Sequence, residues 1–169
     1  MMKRLASAFY GLAALALSAG VSAQTSAYPS KPVRIMVPYA VGGIADNIAR
    51  VIGQKLTDAW GQPVVVENRA GAGGNIGTSV VAGSAPDGHT LVMGNIGTHA
   101  VNQYLVKNMP FDPIKDFVPI VHVLDLEGLL VVNSSDSIKT AAELIALARS
   151  QPGKLTYASA GLGTTSHLA

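Results

Sequence analysis

The groups best suited to chemistry in this sequence are backbone amides of glycine-rich loops, most clearly in VENRAGAGGNIG, residues 66–77. Four glycines fall between Gly71 and Gly77, directly after the apolar run 64–66. A strand that runs into bare backbone either turns sharply or brings its N–H groups close to a ligand. Where a helix begins at such a loop, its unpaired N–H groups and its dipole attract small anions.

This glycine loop does not have the spacing of a nucleotide-binding motif. A dinucleotide fingerprint needs glycine at the first, third and sixth positions after the first strand of a βαβ unit. Counted from Gly71 the sixth position is Ile76, and counted from Gly74 the third position is again Ile76. No Gly-Lys-Ser/Thr sequence occurs either. These patterns disfavour a nucleotide cofactor, and no other cofactor is expected.

The side chains do not assemble a catalytic set. The four histidines lack metal-ligand spacing, and no serine is flanked as in the nucleophile motif G-x-S-x-G. His122, inside an apolar segment, is interpreted as a buried structural residue, and His89, after a Pro-Asp-Gly turn, as a solvated one. His99 and His167 stand at predicted helix starts, where each would either contact a ligand or cap the helix. An enzyme is therefore not expected.

The elements that must position these loops repeat in the order strand, loop, helix, which indicates an α/β class with mostly parallel strands. A strand is predicted in VRIMVPYA, followed by a helix that begins at Asp46 and ends before Gly61. The Asp46 side chain is expected to cap this helix. Further strands are predicted in PVVVEN (covered on both faces), TLVMG, two segments of VPIVHVLDLEGLLVVNS, and KLTYASA.

Further helices are predicted after these strands. IGTSVVAGSA is a weak helix and THAVNQYL a short one, whereas IKTAAELIALARSQPG is clear, since Thr140 and Glu143 have the spacing of a capping box. A last helix is expected to begin within GLGTTSHLA.

Hydroxyl- and glycine-bearing loops follow several of the predicted strands. GGIAD follows the first strand, GNIGTHA the third, and SAGLGTTSH the strand KLTYASA. Open α/β sheets bind ligands at the carboxyl ends of their strands, next to the helix starts. The sequence therefore predicts a pocket that holds carboxylates through backbone donors and Ser/Thr hydroxyls.

The first 23 residues are expected to be a secretory signal peptide. Lys3 and Arg4 precede an apolar stretch from Leu5 to Leu17, and small residues precede Gln24. The alternative is an uncleaved membrane anchor, for which the apolar stretch is short. Without this segment ten basic and ten acidic residues remain, and the chain has no cysteine. A neutral chain disfavours nucleic acid as a partner, and an exported chain without cysteine has no disulfide framework.

Five segments resemble, in order, the substrate-binding proteins of tripartite tricarboxylate transporters, also called the Bug family. They are YPSKPVRIMVPYAVGGIADNIARVIGQKL, GQPVVVENRAGAGGNIGT, APDGHTLVMGNIGTHAVN, FDPIKDFVPI and KLTYASAGLGTTSHLA. The resemblance implies a monomeric periplasmic receptor with two α/β lobes, which delivers a small organic acid to membrane permease subunits. It places the first lobe at residues 24–125 and the start of the second lobe at 126–169, after the signal peptide 1–23.

The resemblance also implies which residues face the ligand. They come from the loop after the first strand, the glycine loop, the loop GNIGTHA and the loop SAGLGTTSH. Carried over by position, they are Tyr39, Gly42, Gly43, Ala45, Asp46, Asn75, Thr98, His99, Ser159, Gly161, Gly163, Thr164 and Thr165. The glycine loop is expected either to contact the ligand or to allow close packing of helix on strand.

Two features depart from the family pattern. Val41 stands where the family usually has proline, and Ala45 lacks the hydroxyl that family members often carry before Asp46. The family chain is also about twice as long, so this sequence is expected to be an N-terminal fragment whose second lobe is incomplete. The alternatives are an exported α/β enzyme acting on a carboxylate substrate, or a fragment without function.

Overall fold

The computed structural model describes residues 27–161 and 164–168, so the predicted signal peptide lies outside the described residues. The chain divides into residues 1–30 and 31–169. Of the first unit, residues 27–30 are described and contain no helix or strand. All the elements below belong to the second unit. Within the described ranges, no helix is both long enough and apolar enough to cross a membrane.

A three-stranded parallel sheet forms the centre of the second unit. Its strands are β1 (Val33–Val37), β2 (Val64–Asn68) and β3 (Thr90–Val92). The order is β2-β1-β3, with Val33 opposite Val64 and Arg34 opposite Thr90. Four of the five residues of the central strand are apolar and buried, because the strand has a neighbour on each side. The predicted α/β class with parallel strands is confirmed.

Helix α1 (Ile44–Trp60) covers one face of this sheet. Ala49 is buried, and Ile52 packs against the core residues Ile35 and Val37. The helix ends at Gly61, whose φ of +65° allows the left-handed conformation expected there. Strand β2 is at the edge of the sheet, and Val65 is 45% exposed. The prediction that this strand is covered on both faces is wrong, because α1 covers only one.

The later helices of the sheet region are short. A 3₁₀ turn (Ala72–Gly74) leads into α2 (Asn75–Ala82), and a π-helical turn (Gly97–Val101) continues into α3 (Asn102–Leu105). Both weak helices predicted from the sequence are therefore present. Gly77 permits the close packing of α2, since a Cβ there would lie 2.7 Å from the Arg69 carbonyl oxygen and 2.9 Å from Pro38 Cα.

Residues 118–160 differ from the expectation. No described residue of this segment belongs to a strand, so the strands predicted in VPIVHVLDLEGLLVVNS and KLTYASA are wrong. The apolar side chains of residues 118–132 are exposed, with Leu129 at 87%. A strand needs a neighbour to satisfy its N–H and C=O groups, and no described segment pairs with it. An apolar pattern alone therefore did not make a strand here.

The helices predicted around this segment are present. Helix α4 (Ala141–Ser150) begins with the expected capping box, in which the Glu143 N–H donates to Thr140 Oγ1 and the Thr140 N–H donates to the Glu143 carboxylate. No residue of α4 is buried. Helix α5 (Thr165–Leu168) begins in the predicted loop.

Candidate functional site

Three loops leave the sheet at the same side, the carboxyl ends of the strands, because β1, β2 and β3 run parallel. They are residues 38–43, 69–74 and 93–96. The second and third of them continue the ladder for one residue: the Arg69 N–H donates to the Val37 carbonyl oxygen, and the Met93 N–H donates to that of Met36. The loops therefore start from neighbouring positions, as the sequence predicted.

Tyr39 and Thr98 both lie beside Gly74, so the first two loops meet here with the π-helical turn that follows the third loop. A Cβ on Gly74 would lie 3.0 Å from Tyr39 Oη and 2.7 Å from Thr98 Cγ2. Gly74 has φ +96° and is buried. A side chain here would be strained and would also displace both neighbours. Glycine at this position is required for the convergence.

The Tyr39 hydroxyl is buried beside the Thr98 and Asn95 side chains. Its oxygen makes no hydrogen bond of standard geometry with a described group. Burial raises the pKa of Tyr39 to about 12, although the neighbouring Thr98 and Asn95 side chains act in the opposite direction. The hydroxyl therefore keeps its proton at neutral pH and can donate to a ligand oxygen.

Asn75 supplies a second buried donor at the first residue of α2. The residue is 3% exposed, and its Oδ1 accepts from Asn102 Nδ2 at 2.8 Å. The same Asn102 amide lies 3.4 Å from the Gly73 carbonyl oxygen. Asn75 Nδ2 has no partner among the described residues. Helix α3 thus holds the Asn75 amide in place and leaves its N–H₂ group available.

Thr98 is fixed by its own loop. Its N–H donates to Asn95 Oδ1, and its Oγ1 accepts from the Asn95 N–H, both at 3.2 Å. Thr98 is completely buried and lies in the π-helical turn, a local form that is frequent at functional sites.

His99 is half-buried beside this turn. Its Nδ1 lies 2.8 Å from Thr98 Oγ1, and its ring packs edge-on against Phe117 at 4.9 Å. Burial lowers the pKa of His99, so the ring is neutral at neutral pH. The turn has no side-chain cap, and the capping alternative for His99 is therefore wrong. Its contact with a ligand stays a prediction.

The loop after β1 presents backbone rather than side chains. Gly42 has φ +84° and is exposed, Gly43 is the residue before α1, and Ala45 is half-buried in the first turn. No side chain caps α1. The prediction that Asp46 caps it is wrong, because the helix begins at Ile44 and Asp46 is its third residue. The Asp46 carboxylate accepts instead from the Gly42 N–H, at 2.8 Å.

The fourth predicted loop reaches the glycine loop. A Cβ on Gly161 would lie 3.9 Å from Gly73 Cα. Thr164 is 3% exposed and donates to the Gly161 carbonyl oxygen at 2.6 Å, and Ser159 Oγ accepts from the Gly161 N–H at 3.3 Å. Thr165 begins α5 and is exposed, and Gly163 lies outside the described residues. The structure thus brings residues from distant parts of the sequence together.

The remaining histidines correct the sequence interpretation. His89 is 8% exposed, because it closes a turn in which its N–H donates to Asp87 Oδ1 at 3.0 Å; the expected solvated position is wrong. The His122 side chain is 72% exposed and faces Asp125 at 3.3 Å, so its expected burial is also wrong. The strand that would have buried His122 does not form. His167 lies 3.0 Å from the Tyr157 hydroxyl through its Nδ1.

Sequence reasoning missed Asn95 and Asn102, which orient Thr98 and Asn75. Their signal was present in GNIGTHAVN, where an asparagine precedes a threonine by three residues and another follows it by four. Within the described ranges, no group of three or more His, Cys, Asp or Glu side chains could hold a metal ion. Two open depressions lie beside α4, lined by residues such as Ile138, Leu144 and Leu147, and share no residue with the four loops.

Residues 48–169 match the tripartite tricarboxylate transporter family receptor, TctC. The chain belongs to this receptor family. Protein BugT of Bordetella pertussis is 41% identical over 154 residues, which are 89% of this chain and 47% of that protein. The chain spans about half the length of the curated relatives it matches.

Solved structures are also similar to this chain. Rpa4515 of R. palustris, solved with adipate, is 38% identical with a TM-score of 0.78, over 83% of this chain and 47% of that chain. MatC of Rhodopseudomonas palustris, solved with bound malate, is 42% identical with a TM-score of 0.52, over 54% of this chain and 31% of that chain. The similarity confirms the predicted α/β fold of periplasmic binding proteins.

Proposed function

We propose that the TctC-family receptor to which this chain belongs binds a small organic acid in the periplasm and delivers it to permease subunits without a chemical step. The four converging loops are the proposed binding site. Two similar structures contain dicarboxylic acids, adipate in one and malate in the other. These ligands support a carboxylate as the ligand class for this chain.

The observation that carries the proposal is the pair of buried donors at the loops. Tyr39 Oη and Asn75 Nδ2 are both buried and have no partner in the described residues. A buried donor without an acceptor costs about 1–3 kcal/mol, and an oxygen-rich ligand would remove that cost. A carboxylate fits because it offers only acceptors.

The backbone would supply further donors. The start of α1 has no side-chain cap, and its first turn lies directly after the loop 38–43. N–H groups at such a position favour negative charge. The Thr164 and Ser159 hydroxyls, brought to the glycine loop through Gly161, would approach the ligand from the other side.

Isothermal titration calorimetry on the whole chain tests the ligand class. The panel contains adipate, malate, citrate, benzoate and glutamate, with the uncharged adipamide as a matched control. We expect at least one acid to bind and adipamide not to bind, because only the acids carry the charge that the donors favour. Equal binding of adipate and adipamide, or no binding of any acid, would contradict the proposal.

The variant Tyr39→Phe tests the donor itself. Loss of one neutral hydrogen bond is worth about 0.5–1.5 kcal/mol, so affinity should fall about two- to tenfold. The free energy of unfolding should change little, since the hydroxyl makes no hydrogen bond of standard geometry in the free protein. Tyr104→Phe is the control, because Tyr104 is 83% exposed. An unchanged affinity for Tyr39→Phe would remove Tyr39 from the site.

A further inference from the structure

The Asp46 carboxylate is already engaged by protein groups. It is 1% exposed. Its Oδ2 accepts from the Gly42 N–H at 2.8 Å, and its Oδ1 forms an ion pair with Arg50 Nη2 at 2.9 Å. Oδ2 is therefore engaged by the loop backbone, whereas Oδ1 is buried, makes no hydrogen bond of standard geometry and is balanced by the charge of Arg50.

Arg50 extends this contact to the next strand. Its Nη2 also donates to Asn68 Oδ1 at 3.0 Å, and Asn68 Nδ2 donates to the Tyr39 carbonyl oxygen at 3.2 Å. Asn68 is the last residue of β2. The loop 38–43 is thus held at Tyr39 by Asn68 and near its end by Asp46.

The end of the loop needs this support because Gly42 is exposed and open on the side where a Cβ would point. Gly42 has φ +84°, and a Cβ built there would meet nothing within 4 Å. Its N–H is bound by Asp46, and its carbonyl oxygen accepts a long hydrogen bond of 3.4 Å from Asn47 Nδ2. Gly43 has no side-chain cap to fix the helix start. Two successive glycines in an open loop would otherwise be conformationally free.

The ion pair also removes an electrostatic conflict. The Gly42 N–H and then Arg50 hold the pKa of Asp46 below its usual range, so the carboxylate is ionised at neutral pH. An unpaired negative charge in the first turn of α1 would repel an anion bound there. Arg50, one turn along the helix, pairs with that charge.

We infer that Asp46, together with Arg50 and Asn68, is a positioning residue that holds the loop 38–43 in its binding geometry and does not contact the ligand. The inference rests on the proposed function only for its effect on affinity. The positioning itself is a property of the free protein.

The experiment has one arm without ligand and one with ligand. In the free chain, NMR hydrogen exchange of the Gly42 amide should become about tenfold faster or more in Asp46→Ala, because a hydrogen bond to a charged acceptor is lost. Asp46→Asn keeps an oxygen acceptor and should restore part of the protection. In the ligand arm, calorimetry with the acid that binds the unmodified chain should give a similar order, with Asp46→Asn closer to the unmodified chain than Asp46→Ala.

Asp58→Ala is the matched control, because this substitution removes the same charge from the same helix. Asp58 is exposed and lies near the other end of α1. It should change neither measurement. Unchanged Gly42 exchange in Asp46→Ala would overturn the inference, even if acids bind. Equal loss of affinity in Asp46→Ala and Asp46→Asn would also overturn it, because that result would indicate direct contact through the charge. Failure of the unmodified chain to bind any acid would count against the proposed function alone, and the exchange arm would still decide the positioning role.

Discussion

Residues 33–105 and residues 118–160 carry similar apolar segments but have opposite environments. In the first region Val33, Met36 and Val37 are completely buried, whereas in the second Leu129 and Val131 are 87% and 79% exposed. Both regions also contain an amphipathic helix, yet α1 has buried residues and α4 has none. The difference teaches that an apolar run becomes a core strand only when neighbouring strands and a covering helix are available.

The pairing of strands explains the contrast. β1 has β2 on one side and β3 on the other, so its backbone groups are satisfied and its side chains are covered. No described strand pairs with residues 118–132. Without a ladder, the backbone groups of this segment have water as their partner, and its side chains have no sheet to pack on.

Truncation of a core side chain should separate the two regions most strongly. Met36→Ala leaves a cavity in a completely buried position and should lower the free energy of unfolding by about 2–5 kcal/mol in urea denaturation. Leu129→Ala, in the exposed region, should stay within about 0.5 kcal/mol of the unmodified chain. Similar losses for both variants would show that residues 118–132 are packed in solution.

Gly77→Ala should have a smaller effect that sharpens the link between the core and the site. The new Cβ would approach the Arg69 carbonyl oxygen and Pro38, both on loops at the site. We expect a loss of about 1–3 kcal/mol in the free energy of unfolding, because backbone atoms must move. Helix propensity alone would favour alanine by about 1 kcal/mol. A measured loss of stability would therefore come from the close approach of the new Cβ to Arg69 and Pro38.

The control for this variant is Gly128→Ala, since a Cβ on Gly128 would meet nothing within 4 Å. This substitution should leave urea denaturation unchanged. A stabilised Gly77→Ala variant would mean that α2 does not pack on the loop as closely as described.

Thr140→Ala should have the smallest and most local effect. The lost capping box weakens the start of α4 by about 1 kcal/mol, which circular dichroism and NMR chemical shifts of residues 141–150 would detect as reduced helicity. Since α4 buries no residue, the urea denaturation of the core should not change. Ser137→Ala, which precedes the cap, is the control. A global loss of stability would show that α4 packs against the sheet.

Much of the fold around the site was predictable because it depends on local sequence. The glycine at 61 and the capping box at Thr140 follow from short-range conformational preferences, and these were confirmed. The order of strands and helices also predicted that the loops 38–43, 69–74 and 93–96 all lie at the carboxyl ends of the strands. The burial of individual histidines was not predictable, because it depends on whether the surrounding segment packs: His89 closes a turn and is 8% exposed, whereas no strand forms around His122.

The sequence by itself determined the α/β class, the parallel strands, the glycine-rich helix starts and the family, because all of these depend on local sequence patterns and on their order along the chain. Only the tertiary structure decided that Asp46 turns toward Gly42 and Arg50, that Tyr39 and Thr98 meet over Gly74, and that residues 118–132 form no strand. The physical reason is that burial and hydrogen-bond partners come from residues far apart in the chain, whereas propensity comes from neighbours.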